Sequence, residues 1–248
     1  MPQGARKMLH ISRAKRWLAV FGPVVLLGAT WAHAQTASDI LQKMRDTYGA
    51  LNSYADSAVM VREYGATDRH TFATYFNRAP RHFLLDFHKQ GGDRYVVWGD
   101  PDGFHTWWKT TKQTTDYPNP NNTPAITLSG PPTQSGVVKI PTLLYSKASL
   151  GGDFTNFADV KLEGSEVIGG HHCYRLKGKA SDSYAASGKE VNIRKMTLWI
   201  DAESFLLREV REEWPPVGGT ATRMTTTYEP QANPALDDAK FKFTPPTS

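Results

Sequence analysis

Cysteine is almost absent from the 248-residue sequence, which contains Cys173 alone. No disulfide can form within one chain, so the protein is not a small scaffold held together by disulfide bonds. A single thiol in an oxidising compartment is either buried or reactive. We expect Cys173 to be buried, because free cysteine is among the most buried residue types.

Long apolar runs are also missing, apart from one between Trp17 and Trp31. That run contains Pro23 and is shorter than the roughly 20 residues needed to cross a bilayer. The segment before it contains five basic residues and no acidic residue. The triplet Ala32-His33-Ala34, which has the small-x-small pattern of a cleavage site, follows it. This order predicts a secretory signal peptide over residues 1–34, with a membrane anchor as the alternative. We therefore expect residues 35–248 to form a single domain in the bacterial periplasm. Gln35 follows the cut, so the new N-terminus offers no cysteine to lipidate.

An excess of one charge sign is missing once that segment is set aside. The whole sequence has 29 basic and 24 acidic residues, and five of the basic residues lie within residues 1–34. Residues 35–248 are then formally neutral. Nucleic-acid binding needs a basic face that neutralises phosphates, so the sequence predicts no nucleic-acid partner.

Recognisable catalytic motifs are missing as well. There is no Gly-x-Ser-x-Gly elbow, no phosphate-binding Gly-rich loop and no His-Glu-x-x-His zinc motif. His171 and Cys173 would share one face of a strand, which makes a two-ligand zinc site conceivable. The alternative is that these residues begin a strand in which Cys173 is buried. His82, Asp86 and His88 form either a metal-binding face or a solvated one. The prediction is a protein that is not an enzyme and needs no metal or cofactor.

The sequence from residue 37 to residue 51 has the pattern of an amphipathic helix. Ser38 or Thr36 can cap it, and its apolar residues recur at helical spacing. The rest alternates with period two, as in a meandering antiparallel sheet. The predicted strands are 55–64, 70–77, 81–88, 94–98, 104–109, 159–168, 172–179, 190–200, 205–214 and 221–229. Residues 110–136 are rich in proline and predict a loop, and a helix is expected around residues 141–147.

Several segments resemble the periplasmic lipoprotein-carrier family, whose members include LolA-like and LolB-like proteins and the related RseB sensor domain. The resemblance covers most of residues 35–248. It is carried by Leu51-Asn52-Ser53-Tyr54, by Arg78-Ala79-Pro80-Arg81, by the hairpin from Val96 to Trp108, by Leu198-Trp199-Ile200-Asp201 and by the ending from Asp238 to Pro246.

The resemblance implies a mainly β fold of the α+β type, with one curved antiparallel sheet forming an incomplete, LolA-like barrel under a helical lid. Its interior would accept acyl chains. An arginine beside the turn proline would bond to lid-helix carbonyls, a role that falls to Arg78, with Arg81 as the second candidate. The apolar residues expected to contact the ligand are Phe72, Phe83, Leu85, Phe87, Trp98, Trp108 and Trp199.

The function predicted from these features is a monomeric periplasmic carrier. It would shelter a lipid or a lipoprotein acyl chain and serve in lipoprotein trafficking to the outer membrane. One alternative is an envelope-stress sensor that reports to a membrane-associated partner protein. The other is a periplasmic hydrolase acting on a lipid or a sugar.

Overall fold

A computed structural model describes residues 35–117, 135–145, 154, 156–183 and 190–246. The predicted signal peptide lies outside these residues and stays a prediction. Within them, no helix has the length and apolar character that a membrane span requires.

Helix α1 spans Ala37–Ala50, close to the predicted bounds. Thr36 is the cap: its hydroxyl accepts a hydrogen bond from the backbone of Asp39, whose carboxylate accepts one from the backbone of Thr36. This reciprocal pair satisfies two donors that a helix start leaves unpaired. The apolar stripe of the helix is buried.

Twelve antiparallel strands lie in the part of the chain that the structure describes. They are β1 (Ser53–Tyr64), β2 (Ala66–Asn77), β3 (His82–His88), β4 (Arg94–Asp100), β5 (Gly103–Trp108), β6 (Gln113–Tyr117), β7 (Phe157–Ile168), β8 (His171–Ser183), β9 (Glu190–Asp201), β10 (Leu207–Val217), β11 (Thr220–Tyr228) and β12 (Gln231–Ala232). The order across the sheet is β6-β5-β4-β3-β2-β1-β11-β10-β9-β8-β7, and β12 pairs with β1. The predicted fold class is confirmed: the described residues are mainly β, with one curved, unclosed sheet and two α-helices.

Two details of the prediction were wrong. Residues 113–117 lie inside the predicted loop but form strand β6, which pairs with β5 and consists of exposed threonine and polar residues suited to a sheet edge. Helix α2 spans Ser135–Leu144, which is earlier than expected, and contains Pro141. Val137, Ile140 and Leu144 share one buried face of α2. Burial of that face offsets the hydrogen bond that the proline removes.

The sheet has a helix-covered face and an outer face. Side chains from α1, α2 and the helix-covered face form one continuous apolar cluster. Strand β4 shows the alternation: Tyr95 and Val97 belong to this cluster, whereas Val96 and Trp98 belong to a smaller one on the outer face.

The C-terminal segment, residues 229–246, covers the smaller cluster. Phe241 is buried there, in a short 3₁₀ helix over Asp238–Phe241. The Phe243 ring lies 5.1 Å from that of Trp98 and 5.4 Å from that of Trp107. The segment is also fixed at its start, because the Asn233 side-chain oxygen accepts a hydrogen bond from the backbone of Asn52 at 2.8 Å.

Candidate functional site: the helix-covered interior and its latch

Large apolar side chains line the helix-covered face along β2 and β3. Phe72 lies opposite Phe87 in the strand register, and Phe76 lies opposite Phe83. All four, together with Leu85, are no more than 3 % exposed. The alternating pattern of the two strands places them on one face, so the structure brings together Phe72, Phe83, Leu85 and Phe87 from the predicted ligand-contacting residues. Trp108 joins the same cluster and is half-buried.

Trp98 and Trp199 lie on the outer face, so the prediction that all seven residues share one interior needs correction. Trp199 alternates with the inward-facing Leu198 and Ile200. Its indole N–H donates to Glu166 at 2.9 Å, and the guanidinium of Arg211 lies 4.8 Å from its ring centre. The Trp98 ring stacks on His105 at 5.2 Å. The face that each side chain occupies is decided by its position in the alternating pattern of the strand.

A buried polar group on the helix-covered face was missed. Asp56 of β1 is 4 % exposed; its carboxylate accepts hydrogen bonds from the Thr74 backbone at 2.8 Å and the Tyr54 hydroxyl at 3.0 Å. Burial raises the pKa of Asp56 to about 7, against the opposing effect of these two donors. Asp56 lies two residues from Tyr54 and two from Ala58, so its side chain faces the same side of the sheet as theirs. This spacing was the signal in the sequence that could have identified it.

Two tyrosine hydroxyls fasten the helices to the sheet. Tyr48 of α1 accepts a hydrogen bond from the Leu207 backbone at 3.2 Å. Tyr228 of β11 donates one to the Gly136 carbonyl, at the start of α2, at 2.6 Å. A Cβ added at Gly136 would lie 1.9 Å from the Thr226 hydroxyl, so glycine is required for α2 to approach β11 this closely.

Arg78, the predicted latch, lies beside the C-terminal end of α1. Its Nε donates to the Leu51 carbonyl at 2.7 Å, and its Nη2 donates to the Tyr48 carbonyl at 3.2 Å. The carbonyls at a helix end lack intrahelical partners and carry the negative end of the helix dipole, which favours a cation there. The guanidinium also lies 5.2 Å from the Phe76 ring centre.

Arg81 lies on the other side of the same β2–β3 turn and contacts the other helix. Its guanidinium is 5.1 Å from the ring centre of Tyr145, the residue after α2. The Tyr145 ring packs edge-on against Phe76, Phe83 and Phe104, with centroids 5.3–6.1 Å apart. Burial raises the pKa of Tyr145 to about 12. One turn therefore holds the ends of both helices, Arg78 at α1 and Arg81 beside α2.

Helix side chains occupy the space over the helix-covered face. Ile40 and Met44 of α1 and Val137, Ile140 and Leu143 of α2 have no exposed surface. An acyl chain would therefore reach Phe72 or Phe83 by displacing part of this cover. In the described residues, helix side chains thus fill the space that the resemblance assigns to a ligand.

The His171 and Cys173 pair has another role in the structure. His171 Nδ1 lies 3.0 Å from the carboxylate of Asp201, which also accepts hydrogen bonds from Arg208. Cys173 is buried, as predicted, and burial raises the pKa of its thiol to about 11. In the part of the chain that the structure describes, no group of three or more His, Cys, Asp or Glu side chains is placed to hold a metal ion.

Comparison with known proteins gives structural neighbours only. No protein-family model matches the chain, and no curated protein matches it by sequence. Similar solved structures include the lipoprotein LppX from Mycobacterium tuberculosis, with 12 % identity, TM-score 0.45, and coverage of 81 % of this chain and 98 % of that one. A LolA superfamily protein from Nitrosomonas europaea has 12 % identity, TM-score 0.35, and coverage of 85 % and 99 %.

A third neighbour is MucB, solved in complex with MucA, with 14 % identity and TM-score 0.44. That alignment covers 84 % of this chain and 60 % of MucB. One of these neighbours carries the name of the LolA superfamily, the group that the sequence resembles. At such low identity the likeness concerns the fold, and the ligands and partners of these proteins are not transferred to this chain.

Proposed function

We propose that the protein is a periplasmic carrier that holds a lipid or lipoprotein acyl chain between the helix-covered face and helices α1 and α2. The observation that carries this proposal is that helices, fastened at their ends, cover the largest apolar surface of the sheet. Arg78 fastens α1, and Tyr228 fastens the start of α2.

Such a cover can be exchanged for a ligand at moderate cost. A net contribution of about 0.5–1.5 kcal/mol is usual for a neutral hydrogen bond and about 1.5–3 kcal/mol for one to a charged group. Further attachment comes from Arg45 of α1, which donates to the Phe154 carbonyl at 3.5 Å, and from apolar contact, which is non-directional. An acyl chain regains about 0.8 kcal/mol for each buried methylene, against about 1.5–3 kcal/mol for each fully buried apolar helix side chain that it displaces, so a chain of roughly ten or more methylenes is needed to offset the exchange.

Tryptophan quenching by a brominated fatty acid tests the location of the ligand. Trp108 packs on the helix-covered side and Trp199 on the outer face. In the protein consisting of residues 35–248, the brominated fatty acid should quench fluorescence saturably. Replacement Trp108→Phe should remove much of that quenching, whereas the matched Trp199→Phe should leave it in place. Quenching that depends on Trp199 would place the ligand on the outer face.

Mass spectrometry of the native protein, purified from the periplasm, tests whether a ligand is carried. We expect a bound species with the mass of a lipid. An apo mass together with no fatty-acid uptake would refute the carrier. In that case, capture of an inner-membrane regulator would favour the sensor alternative.

A further inference from the structure

His70 of β2 is buried on the helix-covered face with one ring nitrogen that lacks a partner. The residue is 2 % exposed and lies two positions before Phe72, so both side chains point to the same face. The His70 ring lies 5.6 Å from that of Phe87, which belongs to the helix-covered cluster. Its Nε2 atom is buried and has no hydrogen-bond partner among the described residues. Native proteins pair most buried polar groups, so this nitrogen points to a function.

The other ring nitrogen determines the protonation of Nε2. The backbone N–H of Gln90 donates to His70 Nδ1 at 3.0 Å, so Nδ1 is an acceptor and carries no proton. A neutral imidazole then carries its proton on Nε2, which becomes a donor. Burial lowers the pKa of His70 below its ordinary value, which keeps the ring neutral at neutral pH. The Gln90 side chain in turn accepts a hydrogen bond from the Arg69 backbone, so the loop after β3 fixes the orientation of the ring.

His70 marks the polar end of the apolar surface along β2. The inward positions before it in the interior are the apolar Phe76 and Phe72. The next inward position on its other side is Asp68, which pairs with Arg62 at 2.6 Å, and both side chains of that pair are more than one-third exposed. An apolar chain that lies over Phe76 and Phe72 therefore has its polar end at His70.

Helix α2 begins over the same row of the sheet. Gly136, near its start, contacts Thr226; Thr226 pairs with Met60, and Met60 pairs with His70. The other end of α2 lies near the β2–β3 turn, where Arg81 contacts the residue that follows the helix. Helix α2 thus runs from the row of His70 toward that turn, and a chain held beneath it would extend from the row of the unpaired N–H.

We propose that His70 Nε2–H donates a hydrogen bond to the carbonyl oxygen of an ester-linked acyl chain, and so selects acylated lipids over chains that lack a carbonyl. This inference rests on the proposed carrier function. An uncharged acceptor is favoured because the ring is neutral and Arg62 is already balanced by Asp68, whereas a buried carboxylate needs a cation of its own. The bond also recovers the free energy that a buried N–H without an acceptor costs.

Two lysophospholipids that differ in one carbonyl test the proposal. Palmitoyl-lysophosphatidylcholine carries an ester carbonyl, and its hexadecyl ether analogue has a methylene in that place, with the same headgroup and chain length. Calorimetric titration of residues 35–248, with each lipid below its critical micelle concentration, measures both affinities. The dissociation constant should be about fivefold lower for the ester, as expected for one neutral hydrogen bond.

Matched histidine variants assign this preference to one nitrogen. His70→Asn should abolish it, because the amide oxygen can still accept from Gln90 and no atom replaces Nε2. His70→Phe keeps a ring beside Phe87 and should also abolish it, which provides a second test if the asparagine variant does not fold. His88→Asn is the control: His88 lies on the outer face, 3.0 Å from Asp86, and the fivefold preference should remain.

The outcomes separate this inference from the carrier function. Equal affinity of the unmodified protein for the two lipids would overturn the role of His70 and leave the carrier in place. A preference for the ester that persists in both His70 variants would also overturn it, since another group would then recognise the carbonyl. Binding of neither lipid, together with no fatty-acid uptake, would refute the carrier function and this inference with it.

Discussion

The two faces of the sheet bury their aromatic residues under different kinds of cover. Helices cover one face and are held by bonds at Arg78, Tyr48 and Tyr228 and by Arg45 of α1, which donates to the Phe154 carbonyl at 3.5 Å. The C-terminal segment covers the other face, continues a strand that pairs with β1, and is held by backbone hydrogen bonds and by Asn233. The helix cover is therefore attached without hydrogen bonds of the sheet ladder, whereas the outer cover is an extension of the sheet.

The largest effect of a substitution at one fixed pH should separate the two faces at neighbouring positions. Leu85 is buried in the helix-covered cluster and Leu84 in the small outer one. We expect Leu85→Ala to lower the free energy of unfolding by about 3–4 kcal/mol and Leu84→Ala by about 2 kcal/mol, because a large packed cluster relaxes less around a cavity. Urea denaturation measures both values. A greater loss for Leu84→Ala would show that the outer cluster is the main core.

Loss of the latch should come next. Arg78→Leu removes two charge-assisted bonds to α1 carbonyls and should cost about 2 kcal/mol. It should also speed hydrogen exchange in α1 and strengthen fatty-acid binding about tenfold, because the open form becomes more populated. Arg62→Leu is the control, since Arg62 pairs with the exposed Asp68. Unchanged exchange in α1 would refute a latch at Arg78.

The buried carboxyl of Asp56 predicts a pH dependence. Its pKa is about 7 in the folded protein against an ordinary 3.8, so between pH 4 and pH 7 the unfolded chain releases a proton that the folded chain keeps. The contribution of Asp56 to the free energy of unfolding therefore falls as pH rises through this range and levels off above about pH 7, by at most about 1.4 kcal/mol per pH unit.

Denaturation of Asp56→Asn at several pH values isolates this contribution. The variant should become more stable than the unmodified protein as pH rises from 4 to 7. The control is Asp68→Asn, because an ion pair with Arg62 lowers the pKa of that exposed carboxyl. A stability difference between Asp56→Asn and the unmodified protein that stays constant with pH would show that Asp56 is ionised throughout.

The smallest effect should arise on the outer face. Phe243 is partly exposed and packs on Trp98 and Trp107. Phe243→Ala should lower the free energy of unfolding by about 1 kcal/mol and should not change hydrogen exchange in α1. Faster exchange in α1 would mean that the two covers are coupled through the sheet.

Local patterns in the sequence predicted most of the sheet. Alternation located all the strands except β6 and the short β12, since a brief threonine-rich edge strand has no apolar pattern. The start of α1 was readable from Thr36 and Asp39. Helix α2 begins earlier than the predicted residues 141–147, because packing of Ile140 and its neighbours extends the helix on both sides of Pro141.

The interior could be predicted only in part. Which residues line it depends on the face to which each strand position points and on contacts between residues far apart in the sequence. The alternating pattern of β3 correctly placed Phe83 and Leu85 in the interior. Trp98 and Trp199 were assigned to the interior without regard to this alternation, and they lie on the outer face. Arg78 was identified through a family resemblance, since nothing local to it reveals that the end of α1 lies 27 residues away in sequence. Asp56 was missed because an isolated aspartate in a strand usually faces solvent.

Hydrogen exchange of residues 35–248, with and without a saturating fatty acid, tests the removable helix cover most directly. A ligand that binds under the helices should change exchange in α1, α2 and the β2–β3 turn around Arg78, and leave the outer cover around Phe241 unchanged. Changes confined to the outer face, or none at saturation, would contradict an acyl-chain site beneath α1 and α2.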